Sequence, residues 1–459
     1  MAMLPIVLAH LLAQLAVPPT ASPLPPTPMP TSTAPAYVGN VATHFTVDAR
    51  PLGFDPDGNA RYLLVAHYLD AQNATTKIFA NSDVNWDANR GYTQWQTRMR
   101  FGQPAAIVKV NTDGPIVVRV TSNLPKLGTV VMRTDTRTWT SPRVVVQALG
   151  PHLIQVGWFP RELKLARIER TDSDGKTHTL AIIAGASSTF RDETVQPGRH
   201  YRYRVYRSAA PMVKTPVVAA LPQPCATNLG MASGKAMWLF FSTNPTDANY
   251  YAKLQPKTIV DQAVRAGLHY VELRTAYGAY WELDAGAKPA IDAIIDDLAA
   301  HGISTMGWTV PRDTTFEDLQ ASLKTVYYRT AKGTPLGGLA VDVERGDEFM
   351  GADPQGLPAL GLYMQYLREA VGPHYLLVAT IEDPYMEHLT EKKYPYREIA
   401  RYSDVLQPMS YWRMMRRKPT TPAQVRTLLA ASVARVNYLS GRKLPISIGG
   451  QTTREGRNG

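Results

Sequence analysis

Cysteine is almost absent from this chain, since Cys225 is the only one among 459 residues. A single thiol excludes an internal disulfide framework and any metal site built from several cysteines. The ten histidines are scattered without metal-ligand spacing, so the sequence implies no metal. The lack of disulfides is compatible with the cytoplasm, and equally with a bacterial exported protein that does not use them.

Acidic residues are scarce in two stretches, and the formal net charge is +11. Arg161 to Lys214 holds 11 Lys/Arg against 6 Asp/Glu, and Tyr411 to Lys443 holds 8 Lys/Arg with no acid. Such a balance favours polyanionic neighbours, such as nucleic acid, anionic lipid or an acidic cell-wall polymer, or else forms a solvated face. No nucleic-acid-binding motif is present, so nucleic acid is not predicted as a partner.

Long apolar runs are few. The first seventeen residues, "MAMLPIVLAHLLAQLAV", are too short to span a bilayer and fit the core of a signal peptide, although no Lys or Arg precedes them. A Pro/Thr/Ser stretch follows, so residues 1–40 are predicted as a signal-like segment with a Pro-rich linker. We expect a secreted or cell-surface protein without a transmembrane span. The alternative is a wrongly assigned start codon or a disordered apolar N-terminus.

Residues 41–139 read as strands and turns without helical periodicity. "PAAIVKVNTDGPIVVRVTS" holds two alternating runs around an Asn-Thr-Asp-Gly turn, which predicts a hairpin within a β-sandwich. The order "YLLVA", "DAQN" and a late "VRVTS" resembles bacterial immunoglobulin-like domains of surface and glycosidase proteins.

Residues 140–211 predict a second sandwich. Trp158 ends an alternating strand, "LARIERTDSDGKTHTLAII" places two strands around an Asp-Gly turn, and a Tyr-x-Tyr-x-Val strand follows a Pro-Gly turn. This order resembles fibronectin type III domains, in which a Trp packs in the core and a late Tyr anchors a corner. Trp158 and Tyr201 or Tyr203 match those places. Residues 212–235 are predicted as a linker.

From 236 to 459 the period changes to alternating strands and amphipathic helices. Continuous apolar strands covered by helices indicate a parallel sheet, either doubly wound or a (β/α)8 TIM-type barrel. No Gly-rich phosphate loop follows the first strand, which weakens the nucleotide-binding version and implies no organic cofactor. The barrel is the preferred fold. Seven β/α steps are visible, so the eighth unit is missing, and either the chain is a fragment or closure is unusual.

Polar or aromatic residues follow the predicted strands, as barrel active sites require. The fourth strand, "GGLAVDVE", ends in Asp342 and Glu344, which lie two apart and therefore face the same side. Two close carboxyls in a partly dry cleft repel, so one stays protonated near neutrality. A proton donor beside a fixed negative charge is what glycosidic bond cleavage needs. The alternative is a capping role, or ion pairs with Arg345 or Arg274.

This strand resembles the chitinase-like glycoside hydrolases of family 18, whose fourth strand reads D-G-x-D-x-D-x-E and whose sixth carries M-x-Y-D. The chain keeps Gly338, Asp342 and Glu344, and it keeps Met409 and Tyr411 in "MSYW". It departs from the family pattern at Gly337, Ala340 and Trp412. The D-x-E pair is also similar to the family 25 muramidases, which cut peptidoglycan. The departures put the substrate-assisted mechanism in question, but not a carboxylate-driven one.

The resemblance implies Glu344 as general acid, Asp342 as its partner that orients the substrate, and Tyr411 as a residue that holds the reacting sugar. Glu382 is a reserve carboxylate, and Asp383 beside it either joins it or caps the next turn. Six further residues at strand ends and loops are predicted to bind substrate, namely Trp238, Arg274, Trp308, Gln407, Trp412 and Gln451.

The sequence therefore predicts two all-β sandwiches followed by a barrel that hydrolyses β-linked glycans such as N-acetylated cell-wall polysaccharides. A rival is a glycan-binding surface protein on a barrel that has lost catalysis, which the departures at Gly337, Ala340 and Trp412 favour. A third option is an adhesive scaffold whose sandwiches carry the function. The sugar, the linkage and the oligomeric state are not indicated by the sequence.

Overall fold

The computed structural model describes most of the chain after the Pro-rich stretch. The described residues are 42–76, 84–95, 104–124, 126–162, 165–208, 210–225, 227–241, 250–283, 286–312, 316–344, 349, 356–385, 393–412 and 421–450.

The first β-rich region runs from β1 to β7. Its strands are β1 His44–Phe54, β2 Ala60–Leu69, β3 Val84–Ala88, β4 Tyr92–Trp95, β5 Ala105–Val110, β6 Pro115–Ser122 and β7 Thr129–Asp135. They form two antiparallel sheets with the orders β1-β2-β5-β4 and β3-β6-β7. Ile116, Val118 and Val120 alternate inward along β6 and pack with residues of the other sheet such as Leu64 and Val108.

The predicted hairpin between β5 and β6 is wrong. The two strands follow one another around the turn that ends at Gly114, but each belongs to a different sheet. The strand β5 pairs with β2 and β4 and is buried along its whole length, whereas β6 alternates between buried and exposed positions. Two runs with such different burial fit opposite sheets of a sandwich better than neighbouring strands of one sheet.

The second β-rich region runs from β8 to β15. Its strands are β8 Val144–Gly150, β9 Leu153–Glu162, β10 Leu165–Thr171, β11 Thr177–Ala184, β12 Ser187–Asp192, β13 His200–Arg207, β14 Ala210–Lys214 and β15 Val218–Ala219. One sheet has the order β12-β9-β8, and the other has the order β11-β10-β13-β14 with β15 also on β13.

Local predictions for this second region are confirmed. The strands β10 and β11 pair across the Asp-Gly turn, and Trp158 and Tyr203 are completely buried. The Tyr201 hydroxyl accepts a hydrogen bond from the backbone N–H of Gln196 at 2.8 Å, which ties the strand β13 to the preceding turn. The strands β14 and β15 continue this sheet beyond 211, into the stretch predicted as a linker. The resemblance to fibronectin type III domains stays a prediction.

The third region alternates strands with helices. Its strands are β16 Ala236–Leu239, β17 Tyr270–Tyr277, β18 Tyr280–Trp281, β19 Ser304–Val310, β20 Leu339–Val343, β21 Leu377–Glu382 and β22 Val405–Met409. Its helices are α1 Pro256–Arg265, α2 Lys288–Ala300, α3 Phe316–Val326, α4 Gly356–Val371, α5 Tyr396–Tyr402 and α6 Pro422–Ser440.

The strands of this region form the predicted parallel sheet, with the order β16-β17-β19-β20-β21-β22 and β18 antiparallel on β17. The predicted seventh strand is represented by two parallel bridges, from Leu406 to Ile446 and from Met409 to Gly449. Over the described residues the sheet is therefore a curled half-barrel, and a complete (β/α)8 barrel is not confirmed. Its curvature brings distant strands together, as the Tyr270 hydroxyl lies 2.9 Å from the Ser447 hydroxyl.

Side-chain alternation defines an inner and an outer surface of the curled sheet. Leu339, Val341 and Val343 of β20 pack in the same cluster as the buried residues of α3 and α4. Ala340, between them, packs instead with inner residues of other strands, including Val378. Because alternate residues of a strand share a face, Asp342 continues the inner row of Ala340.

Both ends of α6 are capped. Thr421 precedes α6, and its hydroxyl accepts from the Gln424 backbone N–H. The side-chain oxygen of Gln424 accepts in turn from the Thr421 backbone N–H. Pro422 occupies the first turn, and Gly441 ends the helix in the left-handed region at φ 64°. A capping box at the start and a glycine at the end are the usual means of satisfying the free backbone groups of a helix.

Both β-rich regions pack against the helical side of the third region. Leu149 and Leu153 of the second region lie in the same buried cluster as the residues of α4. The approach is close, because a Cβ at Gly150 would lie 2.4 Å from the carbonyl oxygen of Ala370. From the first region, Lys109 on β5 reaches Glu317 on α3 with its ammonium nitrogen 2.5 Å from Oε2. None of the described helices is long and apolar enough to cross a membrane.

Candidate active site

The carboxyl ends of β16, β17, β19 and β20 place a group of acidic and aromatic side chains on the inner surface. Asp342 is the fourth residue of β20 and is almost completely buried, and Glu344 follows directly after the strand and is half-buried. The Trp308 indole N–H, on β19, donates to Asp342 Oδ2 at 3.3 Å. Asp342, one of the two predicted acids, therefore contacts a predicted substrate-binding aromatic residue.

Tyr411 lies close enough to these carboxyl groups to be affected by their charge. Burial raises the pKa of its phenol above the usual value, and the negative charges of Asp342, Glu344 and Glu272 raise it further. The phenol therefore stays protonated throughout the ordinary pH range and is available as a hydrogen-bond donor. This is the state that a residue holding a sugar hydroxyl or acetamido oxygen requires.

Aromatic rings line the inner surface beside the acids. The ring centroids of Trp238 and Trp308 are 6.3 Å apart, and Tyr411 presents its edge to Trp238 at 6.1 Å. Phe240 contacts Trp308 edge-on at 6.5 Å and remains about half exposed. Rings packed at these distances and angles stabilise one another and leave an apolar surface suited to the C–H face of a sugar.

Arg274 is held within the same aromatic group. Its guanidinium carbon lies 5.0 Å from the ring centre of Phe240 and 5.4 Å from that of Trp308, and its Nε donates to Glu282 Oε2 at 3.1 Å. The alternative prediction pairs Arg274 with the Asp342–Glu344 acids. In the structure Arg274 forms its ion pair with Glu282 instead. The other proposed partner, Arg345, lies outside the described residues.

Glu382 ends β21 and Asp383 follows it, and the two carboxyl groups have different surroundings. Glu382 lies two residues beyond the inner Thr380 and is mostly buried, and its backbone carbonyl accepts from the Tyr396 hydroxyl at 3.0 Å. Asp383 accepts from the Tyr385 backbone N–H at 2.8 Å and from the hydroxyls of Ser410 and Ser432.

Asp383 therefore caps the next turn, which is one of the two roles predicted for it. Glu382, two residues after Thr380, is the carboxyl that continues the inner row.

The last two predicted substrate contacts belong to the end of the chain. Trp412 is half-buried, and its ring lies over Gly450, where a Cβ would be 3.0 Å from the indole. Gln451 lies outside the described residues. The described residues contain no group of three or more His, Cys, Asp or Glu side chains that could hold a metal ion.

Gln407 and Glu272 form a hydrogen-bonded pair across the inner surface. The Gln407 amide nitrogen donates to Glu272 Oε1 at 2.7 Å, and its oxygen accepts from the Thr380 hydroxyl at 2.7 Å. The second oxygen of Glu272 accepts from the Trp238 indole N–H at 2.6 Å. Burial raises the pKa of Glu272 to about 7, and the bonds from Gln407 and Trp238 offset part of that rise.

Sequence reasoning missed Glu272. The strand "HYVELRTA" predicts Arg274 near its end as a site residue, and Glu272 stands two residues earlier and must share its face. A carboxyl in the middle of an otherwise apolar strand is the signal that points to Glu272. Its place away from the strand end is why the rule that site residues follow the strands does not include it.

Comparisons with solved structures find glycoside hydrolases among the neighbours of this chain. No family model matches the chain, and no curated protein matches it. A chitinase from Chromobacterium violaceum is 16% identical over 47% of this chain and 68% of its own, with a TM-score of 0.32. The Group IV chitinase of Ostrinia furnacalis is 14% identical over 47% and 66%, with a TM-score of 0.34.

A family 39 glycoside hydrolase from Bacteroides cellulosilyticus WH2 covers more of the chain. It is 13% identical over 68% of this chain and 69% of its own, with a TM-score of 0.29. These structural neighbours are glycoside hydrolases.

Proposed function

We propose that the chain is a glycoside hydrolase that cleaves β-linked glycans, including N-acetylated glycans of the chitin or peptidoglycan type. The observation that carries this proposal is the meeting of Asp342, Glu344 and Tyr411 beside the Trp308 indole on the inner surface. Paired carboxyls, a protonated phenol and a stacking surface are the parts that acid-assisted glycosidic cleavage uses.

In the proposed reaction Glu344 is the general acid. Its carboxyl proton passes to the glycosidic oxygen as the bond between that oxygen and the anomeric carbon breaks. Water then supplies the hydroxyl that bonds to that carbon and returns its other proton to the Glu344 carboxylate, which restores the acid. Asp342, held by the Trp308 indole, provides negative charge near the developing oxocarbenium ion. Tyr411 donates a hydrogen bond to the reacting sugar, and Glu382 is a reserve carboxylate.

A catalytically inactive glycan-binding protein is the second candidate. The lower inner layer of the sheet favours it, because Ala340 packs in an apolar cluster with Val378 and Val405 where family 18 has a further Asp. The residue two places before Asp342 therefore does not supply the carboxyl that the family pattern has there. This arrangement argues against the substrate-assisted route in particular.

The deciding experiment is reducing-end release from chitin, peptidoglycan and several β-glucans by the wild type and by Glu344→Gln. Loss of a general acid typically costs a hundred- to ten-thousand-fold in rate, roughly. Glu193→Gln is the matched control, because it makes the same carboxyl-to-amide change at an exposed side chain of the second β-rich region.

Cooperative thermal unfolding establishes that each of these proteins is folded before its activity is compared. Release that disappears in Glu344→Gln and persists in Glu193→Gln supports the hydrolase. A folded wild type that binds these glycans without cleaving them would instead establish the glycan-binding protein.

The proposal extends to an extracytoplasmic location, which is where polymeric glycans of this type are met. Its support is the apolar segment and Pro-rich stretch of residues 1–40, which fit a signal-like sequence. Fractionation of cells that express the full chain tests it, and recovery of the protein only in the cytoplasm would contradict it.

A further inference from the structure

The buried carboxyl of Glu272 is unusual because its described hydrogen-bond partners are both neutral. It is 1% exposed, and its two oxygens accept from the Gln407 amide and the Trp238 indole. No ion pair joins it to any cation in the described part of the chain. Burying a carboxyl among neutral groups costs free energy, and such a cost is typical of functional sites rather than of ordinary packing.

The orientation of the Gln407 amide is dictated by its two neighbours. Its oxygen faces the Thr380 hydroxyl and its nitrogen faces Glu272, so a reversed amide would place oxygen against a carboxylate oxygen. With both ends engaged and only 4% of the residue exposed, Gln407 has little left to offer a substrate. It acts instead on Glu272.

The Trp238 indole is fixed from two sides. Its N–H is held by Glu272, and its ring edge lies against Gly449, where a Cβ would stand 2.5 Å from Cη2. The same ring contacts Trp308, whose N–H is bonded to Asp342, and receives the edge of Tyr411. The position of Trp238 therefore determines the shape of the surface beside the acidic pair.

We propose that Glu272 is a positioning residue that, together with Gln407 and Thr380, fixes the Trp238 indole as the stacking surface for a pyranose ring next to Asp342 and Glu344. The inference rests on the proposed function, because it assigns a role within the same glycan site. Glu272 itself does not touch the sugar. It determines how well the sugar is held, while Glu344 determines how fast the bond breaks.

A residue swap tests the hydrogen-bonded chain. Gln407→Glu places two carboxyls face to face and removes the amide donor. The double variant Gln407→Glu with Glu272→Gln restores every bond in reversed order. The new amide at position 272 would accept from Trp238 and donate to the new carboxylate at position 407, which accepts from Thr380. The single variant is expected to disturb the Trp238 environment, and the double variant is expected to restore it.

The first measurement needs no glycan. Near-ultraviolet circular dichroism and quenching of tryptophan fluorescence are compared for the wild type, the two variants and Trp238→Phe, which identifies the Trp238 contribution. Gly449→Ala disturbs the same ring from its other side without changing the carboxyl, so it remains informative if Gln407→Glu folds poorly. Spectra of folded Gln407→Glu and Gly449→Ala that match the wild type would overturn the positioning role.

The second measurement uses glycan. With the substrate that the wild type cleaves, or with chitotetraose and cellotetraose as binding probes, Gln407→Glu and Gly449→Ala are expected to raise KM or Kd about three- to tenfold, the size of an aromatic contact. The value of kcat is expected to change much less, and the swap should restore KM. Loss of kcat alone, or a folded swap that restores nothing, would contradict the inference.

Failure of the proposed function can be recognised separately. If the wild type neither cleaves nor binds these glycans, while the swap restores the Trp238 spectra, the glycan role is overturned and the positioning of Trp238 by Glu272 is supported. If the wild type cleaves glycan but Gln407→Glu leaves both the spectra and KM unchanged, the inference is overturned and the hydrolase stands.

Discussion

Two buried glutamates in the same chain have opposite surroundings. Glu317, at the contact between the first β-rich region and α3, receives the Lys109 ammonium at 2.5 Å and the Arg61 guanidinium at 2.8 Å. Burial raises the pKa of Glu317, but the two cations outweigh it and hold the pKa at about 2. Glu272 has neutral donors in place of cations, and burial raises its pKa to about 7.

The two glutamates belong to different parts of the molecule. Glu317 belongs to the docking contact, by which we mean the contact between the first β-rich region and α3, and Glu272 belongs to the candidate active site. The cations at Glu317 keep it charged and join two regions of the chain, although Asp55, 3.7 Å from the same lysine, is the less well paired acid and its pKa is raised to about 7 by burial. Glu272 is hydrogen-bonded to Gln407 and Trp238 on two other strands of the same sheet. Its raised pKa of about 7 means that it gains or loses its proton near neutral pH. A buried carboxyl without a cation therefore costs stability that the docking contact does not.

The largest expected effect comes from removing the lysine at the docking contact. Lys109→Met leaves Asp55 without its cation and Glu317 with Arg61 alone, inside a contact where Lys109 is completely buried. We expect the free energy of unfolding to fall by about 3–5 kcal/mol, as for other broken buried pairs. Urea unfolding measures it.

Lys176→Met is the control, because Lys176 is exposed and pairs with the exposed Asp174, so its loss should change stability by about 0.5 kcal/mol or less. A Lys109→Met protein as stable as this control would show that the buried cluster does not hold the two regions together.

The second prediction concerns the pH dependence that Glu272 gives to stability. Its folded pKa of about 7 lies above the usual 4.5, so between these values the folded state holds a proton that the unfolded state has released. The free energy of unfolding contributed by this group therefore falls as pH rises through that window, by about 3 kcal/mol. Glu272→Gln should remove this fall.

The free energy of unfolding of the wild type and of Glu272→Gln is measured by chemical unfolding at about pH 5 and about pH 8, and the difference between the two proteins is compared at the two pH values. Asp55 titrates in the same range in both proteins, so its contribution cancels from the difference. A difference that is the same at both pH values would mean that Glu272 is charged or neutral throughout, and the comparison with Glu317 would lose its basis.

Arg61 provides a smaller effect with the opposite pH dependence. Removing one of the two cations of Glu317 by Arg61→Ala should cost about 2 kcal/mol near neutrality, the range for hydrogen bonds to charged groups. The folded pKa of Glu317 is depressed, so its stabilisation is complete above about 4.5 and is lost as pH falls towards 2. The difference in free energy of unfolding between Arg61→Ala and wild type should therefore decrease as the pH is lowered. A difference that stays constant with pH would contradict the ion pair.

The sequence predicted what depends on local patterns. Alternation identified the inner row that carries Asp342. Buried aromatic residues of the second region, such as Trp158, were also correctly assigned to the core. These features follow from neighbours in sequence, whose geometry is nearly fixed once a strand or a helix forms.

Features that depend on distant contacts were missed. Nothing near Lys109 in sequence indicates that its partner is Glu317, 208 residues away, and nothing near Glu272 indicates Gln407. The β5–β6 hairpin failed for the same reason, because a turn does not reveal whether the next strand stays in its sheet. Curvature of the parallel sheet decides which inner residues meet, and periodicity does not carry that information.

The smallest expected effect is at the partly exposed ion pair between the second β-rich region and α4. Arg191 contacts Glu369 at 2.7 Å and lies 4.5 Å from the ring centre of Tyr366, with about a quarter of its side chain exposed. Water and salt screen this pair, so Arg191→Ala should cost about 1 kcal/mol or less. Arg191→Lys, which keeps the charge but weakens the stacking, should fall between the two in urea unfolding.

If Arg191→Ala lowered the free energy of unfolding as much as Lys109→Met does, the burial of an ion pair would not determine its contribution to stability in this protein. The electrostatic distinction between the buried Lys109–Glu317 contact and the partly exposed Arg191–Glu369 pair would then fail.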